Sequence, residues 1–402
     1  MRTSTNLLWL GDLNQSRVLD AVRRSKGVSR VELAEQTGLT AQTVSNIVRR
    51  LLEDGLVLED GRAVSRGGKP ATVLRLNAGA YYAVGMHIDP ASTTLVVTDL
   101  AGRVVARARR RTPAVQGPRR VIDALGRSVR AIVEESPAPD RVLGLGVATP
   151  GPIDRSASAV TPPHLPGWRS VPLREDLAER TGLPVVIDND ATAATIGERW
   201  AGGGERSEDM AFVYVGTGIG GGLVLDGRVY RGGSFNAAEI GHVTVDPRGP
   251  ECPCGDRGCL ETYTAPHAVA TEVARRRGED RPGFERGQAR TVAAYRKVCR
   301  EARAGEPVAA EVVGDAGRRL GEAAVTLLNL VDVPVVVLGG WGMSHIGALY
   351  ARTLDRAVAE RTIARGVRRV RVEPSLIGED VGAIGAASLV LHAAYSPKFT
   401  GV

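Results

Sequence analysis

The sequence predicts an α/β protein: an N-terminal winged helix-turn-helix, then two α/β lobes, the second carrying a zinc-binding loop. Three observations predict it. Residues 14–54 read as three capped helices followed by two alternating apolar runs around a basic, glycine-rich tip. From residue 82 to 394, short strand-like runs alternate with helical patterns. One histidine and three cysteines, His242, Cys252, Cys254 and Cys259, fall within eighteen residues at metal-ligand spacing.

Residues 14–24 carry Val18, Leu19 and Val22 on one face, a first amphipathic helix. Ser29-Arg30-Val31-Glu32 is a capping box that opens a second helix, and Thr37-Gly38 closes it. Thr40 caps a third, running to about Asp54, with Val44, Ile47, Val48, Leu51 and Leu52 along one stripe. The opposite face presents Gln42, Thr43, Ser45, Asn46, Arg49 and Arg50. Short polar side chains near a helix N-terminus, followed by arginines, suit a major-groove recognition helix. The first four would address base edges and the two arginines phosphates. Residues 56–58 and 72–76 alternate like a hairpin whose tip holds Arg62, Arg66 and Lys69, a wing suited to a minor groove. A protein-docking bundle would also show a polar helix face; the capped helices together with the basic wing favour DNA. A single module binds weakly, so a dimer on a two-fold site is expected.

Residues 77–80 form a short linker to the body. Runs at 82–88, 93–99 and 104–110 make a strand meander with turns at Asp89-Pro90 and Ala101-Gly102. A helix over 118–135 and a strand over 142–148 lead to the sharp turn Thr149-Pro150-Gly151-Pro152. A helix over 173–181 is followed by a strand over 185–187, which delivers Asp188-Asn189-Asp190 at its C-terminal end, ahead of a helix over 191–200. That end of a strand is where open α/β sheets hold ligands. The second lobe starts near Gly202. It has strands at 210–215, 223–226 and 228–230, with a glycine-rich turn from Gly216 to Gly222. Residues 277–307, polar and arginine-rich, read as an exposed helix or loop insertion. A helix over 311–330, a strand over 335–338, a helix after Ser344, a strand over 369–372 and a helix over 381–394 complete the lobe.

The metal motif is Glu239-Ile240-Gly241-His242, then Cys252, Cys254 and Cys259, then Glu261. One imidazole and three thiolates fill the four positions of a structural zinc and leave none open for metal chemistry. The turn-rich segment between them lets the thiols converge without a helix. The other reading is three buried or disulfide-bonded cysteines beside a chance histidine. The fourth cysteine, Cys299, has no partner left and reads as an ordinary buried thiol.

Composition sets outer bounds. The chain has 402 residues, 43% hydrophobic, enough for two or three cored domains. No apolar run reaches the roughly 18–20 residues needed to span a membrane, and the first ten residues have no signal-peptide pattern. Zinc thiolates fit a reducing cytoplasm. A net charge of +7 is compatible with a nucleic-acid partner.

With these residues in place, the chain resembles the ROK family (repressors, open reading frames and sugar kinases), from about residue 14 to 395. The resemblance rests on Glu239-Ile240-Gly241-His242 with the Cys-x-Cys-Gly-x-x-Gly-Cys-x-Glu run, on Asn189-Asp190-Ala191 and on the glycine stretch 216–222. The N-terminal winged helix resembles the repressor branch. The resemblance implies an actin-like, ribonuclease-H-like body with a sugar held between its lobes. The domains would be residues 1–76, 80–200 and 201–379, with a last helix over 380–396 returning to the first lobe. It also implies sugar contacts from Asn189, Asp190, Glu239, His242 and Glu261, and in kinase members a general base at the position of Asp190. Amide and carboxylate groups suit vicinal hydroxyls. Zinc on one ring nitrogen of His242 would orient the other toward sugar. Asp190 also has a plainer use, as a cap for the helix that follows.

ATP-using members carry an Asp-x-Gly-Gly-Thr turn after the first strand, where glycines admit phosphate to the backbone. Here the stretch reads His87-Ile88-Asp89-Pro90-Ala91-Ser92-Thr93. Proline removes a donor and side chains crowd the approach, so no catalytic role is expected and Asp190 is a vestigial base. The expectation is a cytoplasmic, nucleoid-associated repressor with structural Zn2+. It would bind operator DNA as a homodimer or dimer of dimers and respond to a sugar. The rivals are a ROK sugar kinase carrying a DNA module, and a regulator that answers to a phosphorylated sugar or a partner protein.

Overall fold

The computed structural model describes residues 13–62, 71–112, 117–154, 159–160, 167–202, 209–279 and 288–395. Arg66 and Lys69, assigned to the wing tip, lie outside the described residues.

The first unit is a winged helix. Helices α1 (Leu13–Arg24), α2 (Arg30–Thr37) and α3 (Ala41–Glu53) precede the antiparallel strands β1 (Val57–Arg62) and β2 (Thr72–Leu76). The capping box forms in full: Ser29 Oγ accepts the Glu32 N–H, and the Ser29 N–H donates to Glu32 Oε2 at 2.7 Å. Gly38 closes α2 with φ 68°, a left-handed conformation that other residues adopt only with strain. Val18, Val22, Leu33, Val44, Val48, Leu51, Leu56 and Leu74 fill the core of this unit.

The first lobe holds a sheet of order β5-β4-β3-β6-β9. Strands β3 (Tyr82–Ile88), β4 (Ser92–Asp99) and β5 (Val104–Arg111) form the meander; β6 (Val142–Thr149) and β9 (Val185–Asn189) add in parallel. Helices α4 (Pro118–Glu134), α5 (Leu173–Thr181) and α6 (Asp190–Ala201) and the two-residue strands β7 (Ile153–Asp154) and β8 (Ala159–Val160) belong to the same stretch of chain. The second lobe repeats the plan, with sheet order β12-β11-β10-β13-β14. Its meander is β10 (Met210–Val215), β11 (Ile219–Leu225) and β12 (Arg228–Tyr230); β13 (Val335–Gly339) and β14 (Arg371–Pro374) are parallel additions. Helices α7 (Glu261–Thr264), α8 (Pro266–Arg277), α9 (Gln288–Arg303), α10 (Pro307–Val331) and α11 (Gly347–Arg361) surround it, and α12 (Val381–Tyr395) ends the described chain. The two meanders with two parallel additions each give an α/β body of repeated design.

Helix α12 lies against β3, β6 and α6. Glycines permit that approach: a Cβ at Gly85 or Gly146 would collide with the carbonyls of Ala383 or Ala386. Among the described residues no helix is long and apolar enough to cross a membrane.

Two readings change in detail. The arginine-rich stretch is not a solvated insertion throughout, because α9 buries Tyr295, Val298 and Cys299 in the second-lobe core. Its charges had hidden an apolar face; across the contact with α8, Arg277 pairs with Glu301 and Glu306. The glycine stretch is half strand, with β11 starting at Ile219. A side chain at Gly220 or Gly222 would run into Ala191 or Thr195 of α6, so these two glycines serve helix–sheet packing.

Candidate functional site

Asn189 ends β9 and caps α6, its Oδ1 accepting the Ala191 N–H at 2.8 Å. Asp190 opens α6 and also accepts that N–H through Oδ1; its Oδ2 lies 3.8 Å from His87 Nε2. Asp190 therefore does have a capping contact, with one oxygen, while the other faces the cleft wall. Glu261 opens α7 and accepts the Ile219 N–H at 2.9 Å, beneath the glycine turn. Glu239 precedes a single 3-10 turn over residues 240–242, and His242 ends it. Glu239 has its carboxyl raised above the usual range by desolvation, with Asp190 and Glu261 adding to the shift and His242 opposing it. The space in front of Gly151 is bounded by Asn189 Nδ2, Asn236 Oδ1 and Glu239 Oε1, at 3.1, 3.8 and 3.9 Å from where a Cβ would stand. Asn189 and Glu239 thus meet beside Gly151, and Glu239 feels the charges of Asp190, His242 and Glu261.

Behind this space the lobes are bonded together. Thr217, in the turn between β10 and β11, donates its hydroxyl to Asp89 Oδ2 at 2.5 Å, and both groups are buried. Asp89 Oδ1 accepts the Ala91 N–H at 2.8 Å. Tyr214 reaches His87 Nε2 at 3.5 Å, and burial beside Asp190 and Asp89 raises its phenol well above the usual range, so it stays neutral. Asp89 thus accepts from both the Ala91 N–H and the Thr217 hydroxyl, in the turn between β3 and β4.

His242, Cys252, Cys254 and Cys259 present donor atoms that all lie within 4.8 Å of one another. Tetrahedral zinc with sulfur bonds near 2.3 Å needs donors about 3.8 Å apart. Cys252 Sγ is 3.7 Å from His242 Nδ1, and Cys254 Sγ is 3.7 Å from Cys259 Sγ. Burial, then the neighbouring thiols, pushes Cys259 up to about 12, and burial raises Cys252; the Asp256 N–H lowers Cys254. Thiols this close oppose joint ionisation unless a cation offsets their charge. The set is compatible with zinc. Nδ1 of His242 is the nitrogen facing the thiols, which leaves Nε2 for another partner.

On α3, Gln42, Ser45, Arg49 and Arg50 are exposed and Thr43 and Asn46 half-buried, all clear of the buried Val44, Ile47, Val48 and Leu51. Thr40 caps the helix through the Thr43 N–H.

Two residues of the cleft escaped the sequence. Gly151 forms its floor. Asn236 joins the lobes at its rim, accepting the Ile153 N–H through Oδ1 at 3.3 Å and donating to the Ser234 carbonyl at 2.7 Å. Its loop contains Phe235 and Ala238, both left-handed at φ 65° and 64°. Such backbone strain leaves no mark on hydrophobic periodicity. The only available signal was a lone amide in a glycine-rich run.

Comparison with known proteins places this geometry. A model of the MarR family matches residues 12–66, and one of the ROK family matches residues 83–393. The xylose repressor of Bacillus subtilis (strain 168) is 27% identical over 380 residues, covering 94% of this chain and 95% of its own. The glucokinase of Thermotoga maritima is 31% identical over 317 residues, covering 76% of this chain and 96% of its own. In fold, a crystal structure of a ROK family transcriptional regulator, a homolog of the E. coli MLC protein, superposes with TM-score 0.75 at 24% identity, covering 95% of this chain and 96% of that one. With the ROK model matched across both lobes and the metal motif, the chain belongs to the ROK family.

Proposed function

We propose that the chain is a sugar-responsive transcriptional repressor. The observation that carries this reading is the joining, in one chain, of a winged helix with an exposed polar face on α3 to a body in which Glu239 and Asn189 meet beside Gly151, with Asp190, His242 and Glu261 within electrostatic reach of Glu239. In this reading residues 1–76 read DNA, and residues 80–200 with helix 380–396, and residues 201–379, form the two lobes. Gln42, Thr43, Ser45 and Asn46 meet base edges, Arg49 and Arg50 meet phosphates, and Arg66 and Lys69 on the wing tip enter a minor groove. The sugar bridges the lobes and acts through its different affinity for two arrangements of the body. A zinc held by His242, Cys252, Cys254 and Cys259 supplies no chemistry of its own and fixes the His242 ring. The protein works in the cytoplasm, on operator DNA, as a homodimer or dimer of dimers. The xylose repressor relative makes D-xylose the first sugar to try.

The second reading, a sugar kinase with a DNA module, is favoured by the identity to a glucokinase. Against it we read the stretch His87-Ile88-Asp89-Pro90-Ala91 as a phosphate turn that has lost its glycines, a reading supported by the bond that ties Asp89 to Thr217. A coupled ATPase assay over a sugar panel separates the two: turnover that disappears in Asp190→Asn supports the kinase. Footprinting of the full chain on its own upstream region, with and without sugars, tests the repressor, and the absence of any specific site would refute it.

A further inference from the structure

Helix α6 touches all three parts of the chain. Its first turn is the cleft: Asn189 caps it and Asp190 opens it. Trp200, in its last turn, lies ten residues on from Asp190, about 15 Å away at 1.5 Å per residue, and that turn is fastened three ways. The Trp200 indole N–H donates to the Leu100 carbonyl at 3.0 Å, in the turn between β4 and β5 of the first lobe. Arg199 donates to the Gly227 carbonyl at 2.5 Å, in the turn between β11 and β12 of the second lobe. The Trp200 carbonyl accepts from Arg23 of α1 at 2.5 Å, and the same guanidinium stacks 4.3 Å above the Trp200 ring.

This last contact is well built. The Arg23 side chain is 8% exposed, and Asp20 holds it from within α1. A cation against the last carbonyls of a helix also meets the negative end of its dipole. The winged-helix core and the body share one continuous apolar cluster here, in which Val18, Val22, Trp200, Ala387 and Leu391 all take part.

Between its ends α6 has little room to bend. Nearly every residue from Ala191 to Trp200 is buried. Gly197 lies so close to Gly385 of α12 that a Cβ would overlap its backbone, and the Glu198 carboxylate accepts from the Ser375 hydroxyl at 2.7 Å and the Leu376 N–H at 3.1 Å. A close-packed helix of this kind moves as a body. Reseating of its first turn when a ligand bridges the lobes is therefore carried to its last.

We infer that Arg23 and Trp200 are the positioning pair through which occupancy of the cleft sets the placement of the winged helix. This rests on the repressor reading. Neither residue contacts the ligand space or lies on the exposed face of α3, so the pair acts on the coupling between two binding events rather than on either event.

The experiment compares the full-length chain with Arg23→Met, which keeps the aliphatic stem but removes the charge and donors, and with Trp200→Phe, which keeps a ring above the apolar cluster. Calorimetry gives the affinity for D-xylose, D-glucose and N-acetyl-D-glucosamine. Fluorescence anisotropy gives the affinity for the DNA fragment upstream of the chain's own gene, with and without each sugar at saturation. The wild-type chain is expected to change its DNA affinity at least tenfold with one of these sugars. In Arg23→Met the sugar affinity and the sugar-free DNA affinity stay within about threefold of wild type, while the ratio of DNA affinities with and without sugar falls to below about threefold. Trp200→Phe retains an intermediate ratio. A full wild-type ratio in Arg23→Met, or in Trp200→Phe should Arg23→Met not fold, overturns the positioning role and leaves the repressor reading standing. A wild-type chain whose DNA affinity ignores all three sugars overturns both.

Discussion

Cys254→Ser separates metal from packing, because Cys254 is exposed whereas Cys252 and Cys259 are buried. The substitution removes one of four donors and opens no core cavity, so its effects come through the cluster. With the set broken, nothing holds the His242 Nδ1 edge against Cys252, 3.7 Å away, and the ring whose Nε2 we propose for sugar is free to turn. One hydrogen bond to sugar is worth about 1 kcal/mol. Glu261 sits two residues after Cys259 and is held by the Ile219 N–H, so it loosens with the same loop and places a second bond at risk. Together they amount to about 2 kcal/mol, or roughly a 30-fold loss of sugar affinity. Elemental analysis of the purified variant should find zinc well below one per chain. Calorimetry against the best sugar should show the weakened binding, and sugar-free DNA binding should stay within about threefold, since α3 lies on a different unit. A zinc-free variant that binds sugar like the wild type would refute the link between the cluster and the cleft.

Other expectations follow from single contacts. Ser29→Ala removes the Glu32 N–H acceptor of the capping box and should cost about 1 kcal/mol in urea unfolding of the winged helix. Glu239→Gln should weaken sugar binding yet raise the melting temperature at pH 7 more than at pH 4. Desolvation raises the Glu239 carboxyl, so the folded state favours its protonated form, and the stability it contributes at acid pH is lost as pH rises through the raised value. His392 in α12 behaves oppositely. Desolvation first, then Arg231 and Arg199, pushes its pKa down to about 3. It stays neutral when folded, so stability present above about pH 6.5 falls as the pH drops toward 3, by at most about 1.4 kcal/mol per unit. Melting curves from pH 7 to 4 on wild type and His392→Phe should converge at acid pH in the variant's favour.

Local chemistry was readable along most of the chain. The capping box at Ser29 and the Thr40 cap with its apolar stripe placed α2 and α3 to within a residue, because cap and stripe act within one helix. The convergence of His242, Cys252, Cys254 and Cys259 was legible because the four residues cluster in sequence as they do in space. Failures came where tertiary contact overrides local pattern. The buried edge of α9, with Tyr295 and Cys299, was masked by the arginines around it. The glycines at 220 and 222, read as part of a turn, lie in β11 and make room for Ala191 and Thr195 of α6. Asn236 and Gly151 meet Asn189 and Glu239 only through the closing of two lobes, and the Asp89–Thr217 and Arg23–Trp200 contacts join residues 128 and 177 positions apart. No spacing rule reaches that far.

The central claim is tested most directly by the DNA affinity of the full-length chain for its own upstream region, measured at fixed salt with and without a saturating sugar, in wild type and in Asp190→Ala. The account predicts a footprinted site whose affinity changes at least tenfold with one sugar, and an Asp190→Ala chain that binds the same site but no longer responds. A chain that recognises no site, or one whose affinity is the same with every sugar, would contradict it.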